Sequence, residues 1–561
     1  MVLQLFFGHK PFVVALCLNI AFLVVCLGIG GVHFGSMDDY FMSTIVTGVY
    51  GGEFDAHTLF VNCAYAYFLK PLYALFPNVG WYFVFELLFV FASFTVFTYF
   101  MLRQVAGKFG VALSVFLLTC LVPDFYLQLS FTQCAAVSTA AGILLFYFGN
   151  KERQWRFLVL AVLFLVVGIV FRKEGFLLGI PFALALLAWT FWNARKIWVV
   201  SLVALAFAGG AYYGLQTFNR SIFNDNDEYA YYLAYQGPRA LLGDGSFYDS
   251  EATYDELEER GSHGQDFRIL ERWVFYDTEA FSLDSLKPIV DVAYRNRYEL
   301  NKAKMPPALL YAVANSFLHP NAWCWVVLCL VLFFAVPRKA GWYAWGSLAL
   351  ISLCLTYLLM QNRVVYHVES GIWLYAVVCA IPFVRFQGGE FGTNTRKMLC
   401  LLLVMSMVCF VFAMSTQRPE DNDHLLFGSR KMPAEWLDFL QYAKERPDDV
   451  FLLHFEPYKA LAAYKDPAYK AAAPGSWGNI VPIGYWNINL PGMKRELEKR
   501  GVTNPLRDIV KDNVYVMSGG VGVKLDYYYK THYQKDFVVD TVKKFGHYNL
   551  LKYRTVEGNH D

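Results

Sequence analysis

Long apolar runs alternate with short charged segments along the first 415 residues of the chain. A run of about 16 to 22 residues can cross a hydrocarbon core of about 30 Å as an α-helix. Because backbone amides in lipid must be hydrogen-bonded internally, we expect these runs to be helices. The predicted spans are 12–32, 79–100, 108–122, 131–148, 156–171, 174–192, 196–215, 321–336, 342–360, 366–384 and 397–415.

The chain is therefore predicted to be a polytopic α-helical membrane protein with about 11 transmembrane helices. Residues 1–415 form the membrane domain, which includes a first external loop at 33–78 and a large external loop at 216–320. Helical periodicity at 57–76 predicts an interfacial helix within the first loop.

Residues 416–561 follow a different pattern, which predicts a small external C-terminal α/β domain. A helix-like segment at 434–445 precedes strand-like segments at 450–455 and 514–517. Segments 536–543 and 547–554 are predicted to pair as a hairpin across Phe545-Gly546.

Composition disfavours a soluble protein, since 57% of residues are hydrophobic, only 17% are charged, and the mean hydropathy is +0.35. The net charge of +2 comes with no basic stripe, which disfavours nucleic acid as a partner. Most of the 11 cysteines lie in the predicted spans, so no disulfide framework is expected.

Orientation follows from lysine and arginine in the short loops, because positive residues are retained on the cytoplasmic side during insertion. The predicted inner loops hold most of them, whereas the predicted outer short loops hold only Lys70, Arg172, Lys173 and Arg363. We therefore expect a multi-pass protein of the cell (plasma) membrane with a cytoplasmic N-terminus and an external C-terminal domain.

Asp38 and Asp39 form an acidic pair a few residues beyond the first predicted span. Such carboxylates can deprotonate an acceptor hydroxyl, or can bind a divalent metal beside a phosphate. The alternative is a structural role in an interfacial loop or at a helix N-terminus, where aspartate is also favoured.

The same segment continues with Gly48-Val49-Tyr50-Gly51-Gly52-Glu53, Lys70-Pro71-Leu72-Tyr73 and Trp81-Tyr82. Here the chain resembles a bacterial branch of the GT-C superfamily, membrane glycosyltransferases that use polyprenyl-phosphate-linked sugars. The resemblance implies that Asp38 and Asp39 supply the catalytic base or a contact to Mg²⁺ or Mn²⁺, and that transfer inverts the anomeric configuration. Glu53, Asp55 and His57 are secondary candidates for acceptor or metal contacts, and so is Glu174 further along the chain.

Two basic clusters are candidates for binding the donor phosphate. Arg172 and Lys173 lie with Glu174 in a very short outer loop, where arginine suits bidentate contacts to oxygen. Arg363 and His367 are four residues apart and would share a face at helical spacing. The alternative is ordinary snorkelling of charged side chains at helix ends, and a structural histidine.

The expected function is transfer of a sugar from a polyprenyl-phosphate-linked donor to a glycan or glycolipid acceptor of the cell envelope, at the outer bilayer surface. A transporter or flippase of lipid-linked saccharides is the main alternative, since it also needs many helices. A third possibility is a non-catalytic envelope-assembly protein whose external domains bind glycan.

Overall fold

The computed structural model describes residues 9–28, 32–193, 198–244, 248–261, 264–298, 304–335, 337–361, 363–384, 397, 400–408, 432–518 and 525–556. Helices dominate this part of the chain. The helices of the N-terminal two thirds are α1 His9–Gly28, α2 Met37–Val46, α3 Cys63–Leu75, α4 Trp81–Gln104, α5 Gly107–Val122, α6 Phe131–Glu152, α7 Trp155–Phe171, α8 Lys173–Asn193, α9 Trp198–Asn224, α10 Asp227–Gly243, α11 Ser250–Glu259, α12 Gly264–Leu270, α13 Leu283–Arg295, α14 Met305–Ser316, α15 Pro320–Ala335, α16 Pro337–Met360 and α17 Tyr366–Ala380.

Helices occupy ten of the predicted spans, namely α1, α4 to α9 and α15 to α17. Residues 400–408 of the eleventh are helical as well, and 409–415 lie outside the described residues. The described parts of the apolar runs are therefore helical, as expected for segments whose backbone groups must form internal hydrogen bonds in lipid.

The number of membrane crossings is a separate matter, and the predicted count of 11 is not confirmed. Five helices in the described ranges are long and apolar enough to cross: Lys10–Gly28, Trp81–Gln104, Gly107–Leu127, Phe131–Glu152 and Ala340–Met360. A sixth span results if α14 and α15, bent by 85° at their junction, cross as one. Helix α7, with 17 residues, rises only about 25 Å, whereas α8 and α9 have 21 and 27 residues.

The C-terminal segment, defined as residues 432–556, contains a five-stranded mixed sheet. Its strands are β3 Val450–Leu453, β4 Ile480–Pro482, β5 Val514–Ser518, β6 Asp536–Phe545 and β7 Tyr548–Val556, in the order β4-β3-β5-β7-β6. Its helices are α18 Ala434–Lys444, α19 Phe455–Lys465, α20 Pro491–Glu498 and α21 Asp526–Tyr533. The predicted hairpin is confirmed, since β6 and β7 pair antiparallel around Gly546, whose φ is +60°.

The first loop is anchored from two sides. Strand β1, His33–Phe34, pairs in parallel with β2, Gln128–Leu129, just before α6. On the other side the C-terminal segment packs against the loop. The Tyr40 hydroxyl donates to Asp466 at 3.1 Å, and the hydroxyls of Tyr50 and Tyr458 are 2.8 Å apart. The two segments thus form one interface although they are far apart in sequence.

Gly80 marks the tightest approach within this interface. Its N–H donates to the Tyr469 carbonyl at 2.9 Å, and a Cβ added at Gly80 would lie 2.2 Å from the Ala468 oxygen. Only glycine therefore allows the two backbones to approach this closely.

We predict that Gly80→Ala lowers the free energy of unfolding by about 1–3 kcal/mol, because the added methyl overlaps a backbone oxygen. Thermal unfolding in detergent measures this, and limited proteolysis shows whether the C-terminal segment detaches. Gly210→Ala is the matched control, since a Cβ there meets nothing within 4 Å. Equal unfolding midpoints for Gly80→Ala and the wild type would contradict the assigned contact.

Candidate functional site

Helix α2 places both members of the acidic pair in its first turn. Ser36 is the N-cap, and its hydroxyl accepts the Asp39 N–H while donating to the Asp39 carboxylate at 2.8 Å. Carboxylates are favoured in this position because they meet the positive end of the helix dipole. The local sequence Ser36-Met37-Asp38-Asp39 therefore fixes the helix start and directs the two carboxyl groups differently.

Asp39 faces the protein interior and is fully buried. Its Oδ1 accepts the Tyr82 hydroxyl at 3.2 Å and the backbone N–H of Phe131 at 3.1 Å. Burial raises the pKa of Asp39 to about 7, and the buried carboxyl of Glu86 lies beside it. Two adjacent carboxyl groups away from water share a proton rather than both ionising. Through its contacts with Tyr82 and Phe131, Asp39 connects α2 to α4 and α6, and its role is structural.

Asp38 faces the C-terminal segment and is only partly buried. Its Oδ1 accepts the indole N–H of Trp486 at 2.7 Å. In the described part of the chain Oδ2 has no hydrogen-bond donor, so this oxygen is free to meet a ligand. Burial raises the pKa of Asp38, against the effect of the Trp486 hydrogen bond and of nearby arginines. A carboxylate with a raised pKa is a stronger base near neutral pH.

Charged residues of both signs lie near Asp38. Arg172 and Arg239 lie within electrostatic range of it, and Asp244 is also near both Asp38 and Arg239. Arg363 belongs to the same group of charges. Its Nη1 is 3.5 Å from Asp244 Oδ2, and it also lies within electrostatic range of Arg172. We call these five residues the charge ring. Its three arginines outnumber its two aspartates, so it favours an anionic ligand.

Arg172 is held in place by the first turn of α6. Its guanidinium donates to the Thr132 hydroxyl and lies over the Phe131 ring, with 5.1 Å from Cζ to the ring centroid. The Phe131 N–H is the group that Asp39 accepts. One helix end therefore positions both Arg172 and the buried member of the acidic pair.

Lys173 and Glu174 lie at the exposed edge of the site. Glu174 is 3.8 Å from Arg172 and 3.7 Å from Lys173, and it is more than half exposed. These are surface ion pairs, which contribute about 0–1 kcal/mol and exchange easily. Lys173 therefore stays outside the charge ring, as does Glu174.

Arg363 and His367 are brought near Arg172, but the predicted helical spacing between them is wrong. Helix α17 begins at Tyr366, and the Arg363 N–H bonds back to the Leu358 carbonyl at the end of α16. Arg363 thus belongs to the connection between two helices. The His367 ring lies within electrostatic range of both Arg172 and Arg363, so the proximity of the two residues does not depend on a shared helix face.

The secondary candidates in the first loop form a separate cluster. Asp55 bonds to His57 Nδ1 and accepts the Tyr229 hydroxyl, both at 2.6 Å, while the His57 ring stacks on Tyr229 with centroids 3.4 Å apart. These contacts fasten the loop to α10. Glu53 is exposed and has no part in them.

The donor set does not fit the expected Mg²⁺ or Mn²⁺ site at Asp38 and Asp39. Asp39 is occupied by three protein donors, and the neighbours of Asp38 are cationic. Throughout the described ranges, no three His, Cys, Asp or Glu side chains are grouped closely enough to hold a metal ion. Divalent cations prefer several oxygen ligands, whereas this site offers one free carboxylate among arginines.

Three residues of the site are not identified by local sequence: Trp486, Arg239 and Asp244. Trp486 lies in the aromatic sequence Gly484-Tyr485-Trp486-Asn487, which gives no local indication of its contact with Asp38. Arg239 does carry a signal, since it lies on the α10 stripe that buries Tyr232, Tyr235 and Leu242. A cation on the apolar face of a helix indicates a special role.

Comparison with protein-family models finds no match, and comparison with curated proteins finds none either. The chemistry of the site must therefore be argued from its geometry.

Proposed function

We propose that the protein is an inverting glycosyltransferase of the GT-C type, which moves a sugar from a polyprenyl-phosphate-linked donor to a glycan or glycolipid acceptor. One observation carries the proposal: a carboxylate with a free oxygen, Asp38, lies within electrostatic range of Arg172 and Arg239 on an apolar helical bundle. In this proposal the bundle crosses the plasma membrane about 11 times from a cytoplasmic N-terminus, and the site and the C-terminal domain are external.

Asp38 acts as the general base. Its Oδ2 takes the proton of an acceptor hydroxyl while the acceptor oxygen forms a bond to the anomeric carbon of the donor. On the opposite face of that carbon the bond to the phosphate oxygen breaks, and its electron pair leaves with polyprenyl phosphate. This single displacement inverts the anomeric configuration.

The arginines stabilise the departing phosphate. Arg172 and Arg363 come from two different interhelical connections, and the arginine fork matches phosphate oxygens. His367 is near enough to assist them. Because fixed cations already face the developing charge, the phosphate can leave without a metal ion.

The position of the buried carboxyl groups favours transfer over translocation. Glu86, Asp124 and Glu369 are buried, and each lies within two turns of a helix end. A transporter for a charged saccharide needs ionisable groups near the bilayer midplane, where its substrate passes. These groups instead support a reaction at one membrane surface.

The acidic pair supplies the test of the proposal. We predict that Asp38→Asn lowers kcat by about 100-fold or more, the range typical of a lost general base. Asp39→Asn retains most of the activity in the folded protein, because the Asp39 oxygens are bound by protein donors and do not face the acceptor. The assay supplies purified protein with a panel of radiolabelled polyprenyl-phosphate sugars and envelope glycans.

Thermal midpoints of both variants serve as the folding control for this experiment. An Asp38→Asn variant that folds and transfers sugar at the wild-type rate would refute the assigned base. Loss of activity in folded Asp39→Asn alone would reverse the roles of the two residues.

The Trp486 hydrogen bond leads to a pH prediction. It favours ionised Asp38, so Trp486→Phe raises the Asp38 pKa further. Activity needs the ionised base and is lost as the pH falls through this pKa. The acid limb of the kcat/KM profile should therefore move to higher pH by about one to two units, since hydrogen bonds to charged groups contribute about 1.5–3 kcal/mol.

Trp477→Phe is the matched control, because that indole also donates at 2.7 Å to a carboxylate of the same segment, Asp466. It should leave the acid limb in place. Identical shifts in both variants would mean that the effect is not transmitted through Asp38.

A further inference from the structure

Arg239 is nearly fully buried, with 3% of its surface exposed, yet it is incompletely satisfied. Its Nε donates to Gln236 Oε1 at 2.8 Å, but its Nη1 has no hydrogen-bond partner. In the described ranges no carboxylate lies within ion-pair distance of it. A buried cation lacking a close counter-ion and a full set of acceptors is costly, and a ligand that accepts a hydrogen bond from Nη1 would offset part of this cost.

The surroundings of Arg239 are built to hold the guanidinium plane. Its Cζ lies 4.7 Å from the ring centroid of Trp273, and Trp273 has a left-handed φ of +65°. Gly243 leaves room for this indole, since a Cβ there would lie 3.1 Å from it. A left-handed backbone conformation is unfavourable for a large residue and indicates local strain at Trp273. In this conformation the flat Trp273 ring lies against the Arg239 guanidinium.

Arg239 is also tied to the proposed base. Gln236, which accepts from Arg239, donates to the Trp486 carbonyl at 3.1 Å. Trp486 in turn donates to Asp38. Trp486 therefore contacts both groups, the Asp38 carboxylate directly and the Arg239 guanidinium through Gln236. These contacts set the position of the guanidinium relative to the carboxylate.

The two arginines within electrostatic range of Asp38 come from different parts of the chain. Arg172 belongs to the connection between the apolar helices α7 and α8, where a membrane-anchored phosphate arrives. Arg239 belongs to α10, in the segment that packs against the C-terminal segment. In an inverting displacement the leaving and attacking oxygens lie on opposite faces of the anomeric carbon, so separate groups are needed to bind the leaving phosphate and the acceptor.

We propose that Arg239 binds an oxyanion of the acceptor, so that the acceptor is an acidic saccharide carrying a phosphate or a carboxylate. This inference rests on the proposed function, and it defines the acceptor class for the same site. Nη1 supplies the unused donor, and the Trp273 ring, which lies against the guanidinium, limits its movement.

Binding to the full-length protein in detergent tests this without any transfer reaction. The probes are glucose 6-phosphate and glucuronate as acidic saccharides, glucose as the neutral match, and farnesyl phosphate as the lipid phosphate. Saturation-transfer NMR titrations compare the wild type with Arg239→Met, Arg239→Lys, Arg172→Met and the control Arg268→Met. Arg268 is an arginine of the same external segment that is already paired with Glu251 and Glu271.

We expect Arg239→Met to weaken binding of at least one acidic saccharide by about tenfold or more and to leave farnesyl phosphate unchanged, with the opposite pattern for Arg172→Met. Arg239→Lys should retain part of the affinity, and Arg268→Met all of it. The two acidic probes distinguish a phosphate from a carboxylate. Arg239→Met should also unfold at or above the wild-type temperature, because it removes a buried cation without a close counter-ion.

The inference is overturned if neither acidic saccharide binds better than glucose, or if Arg239→Met weakens farnesyl phosphate instead. A lower unfolding midpoint for Arg239→Met together with equal loss of all probes would assign Arg239 a purely structural role. Selective loss of acidic saccharides in a protein that transfers no sugar would uphold the anion site and refute the proposed function.

Discussion

The hydrogen bond from the Trp486 indole to Asp38 is the contact on which the site depends. It joins two segments separated by more than 400 residues, and it orients one oxygen of the carboxylate while leaving the other free. Around it, Phe41 packs against Trp486 and Tyr485, with ring centroids 5.3 and 4.7 Å apart. The C-terminal segment therefore belongs to the site, and the membrane domain alone would present Asp38 without its orienting partner.

Hydrophobic periodicity was enough to predict most of the helical fold. Ten apolar runs became helices, because helix formation in these runs depends on local composition. The β6–β7 hairpin was predictable for the same reason, since Gly546 marks its turn. The number of crossings was not, because it depends on helix length and on bends such as the 85° break between α14 and α15.

The site was only partly predictable. Asp38, Arg172 and Arg363 are charged residues beside apolar runs, which local sequence reveals. Which aspartate is buried depends on Tyr82 and Phe131, and these lie 43 and 92 residues away from Asp39. Arg239 and Trp486 reach Asp38 only through the packing of α10 and the C-terminal segment. Long-range packing thus determines which residues form the site, whereas the local sequence pattern determines which segments form helices and strands.

We propose that the charge ring carries out transfer at one membrane surface. The most direct measurement follows a polyprenyl-phosphate sugar in proteoliposomes that contain the purified protein and an acceptor glycan. The account predicts one polyprenyl phosphate released for each glycosidic bond formed, with inverted anomeric configuration in the product. Movement of intact donor across the bilayer, with no cleavage of the sugar–phosphate bond, would contradict it.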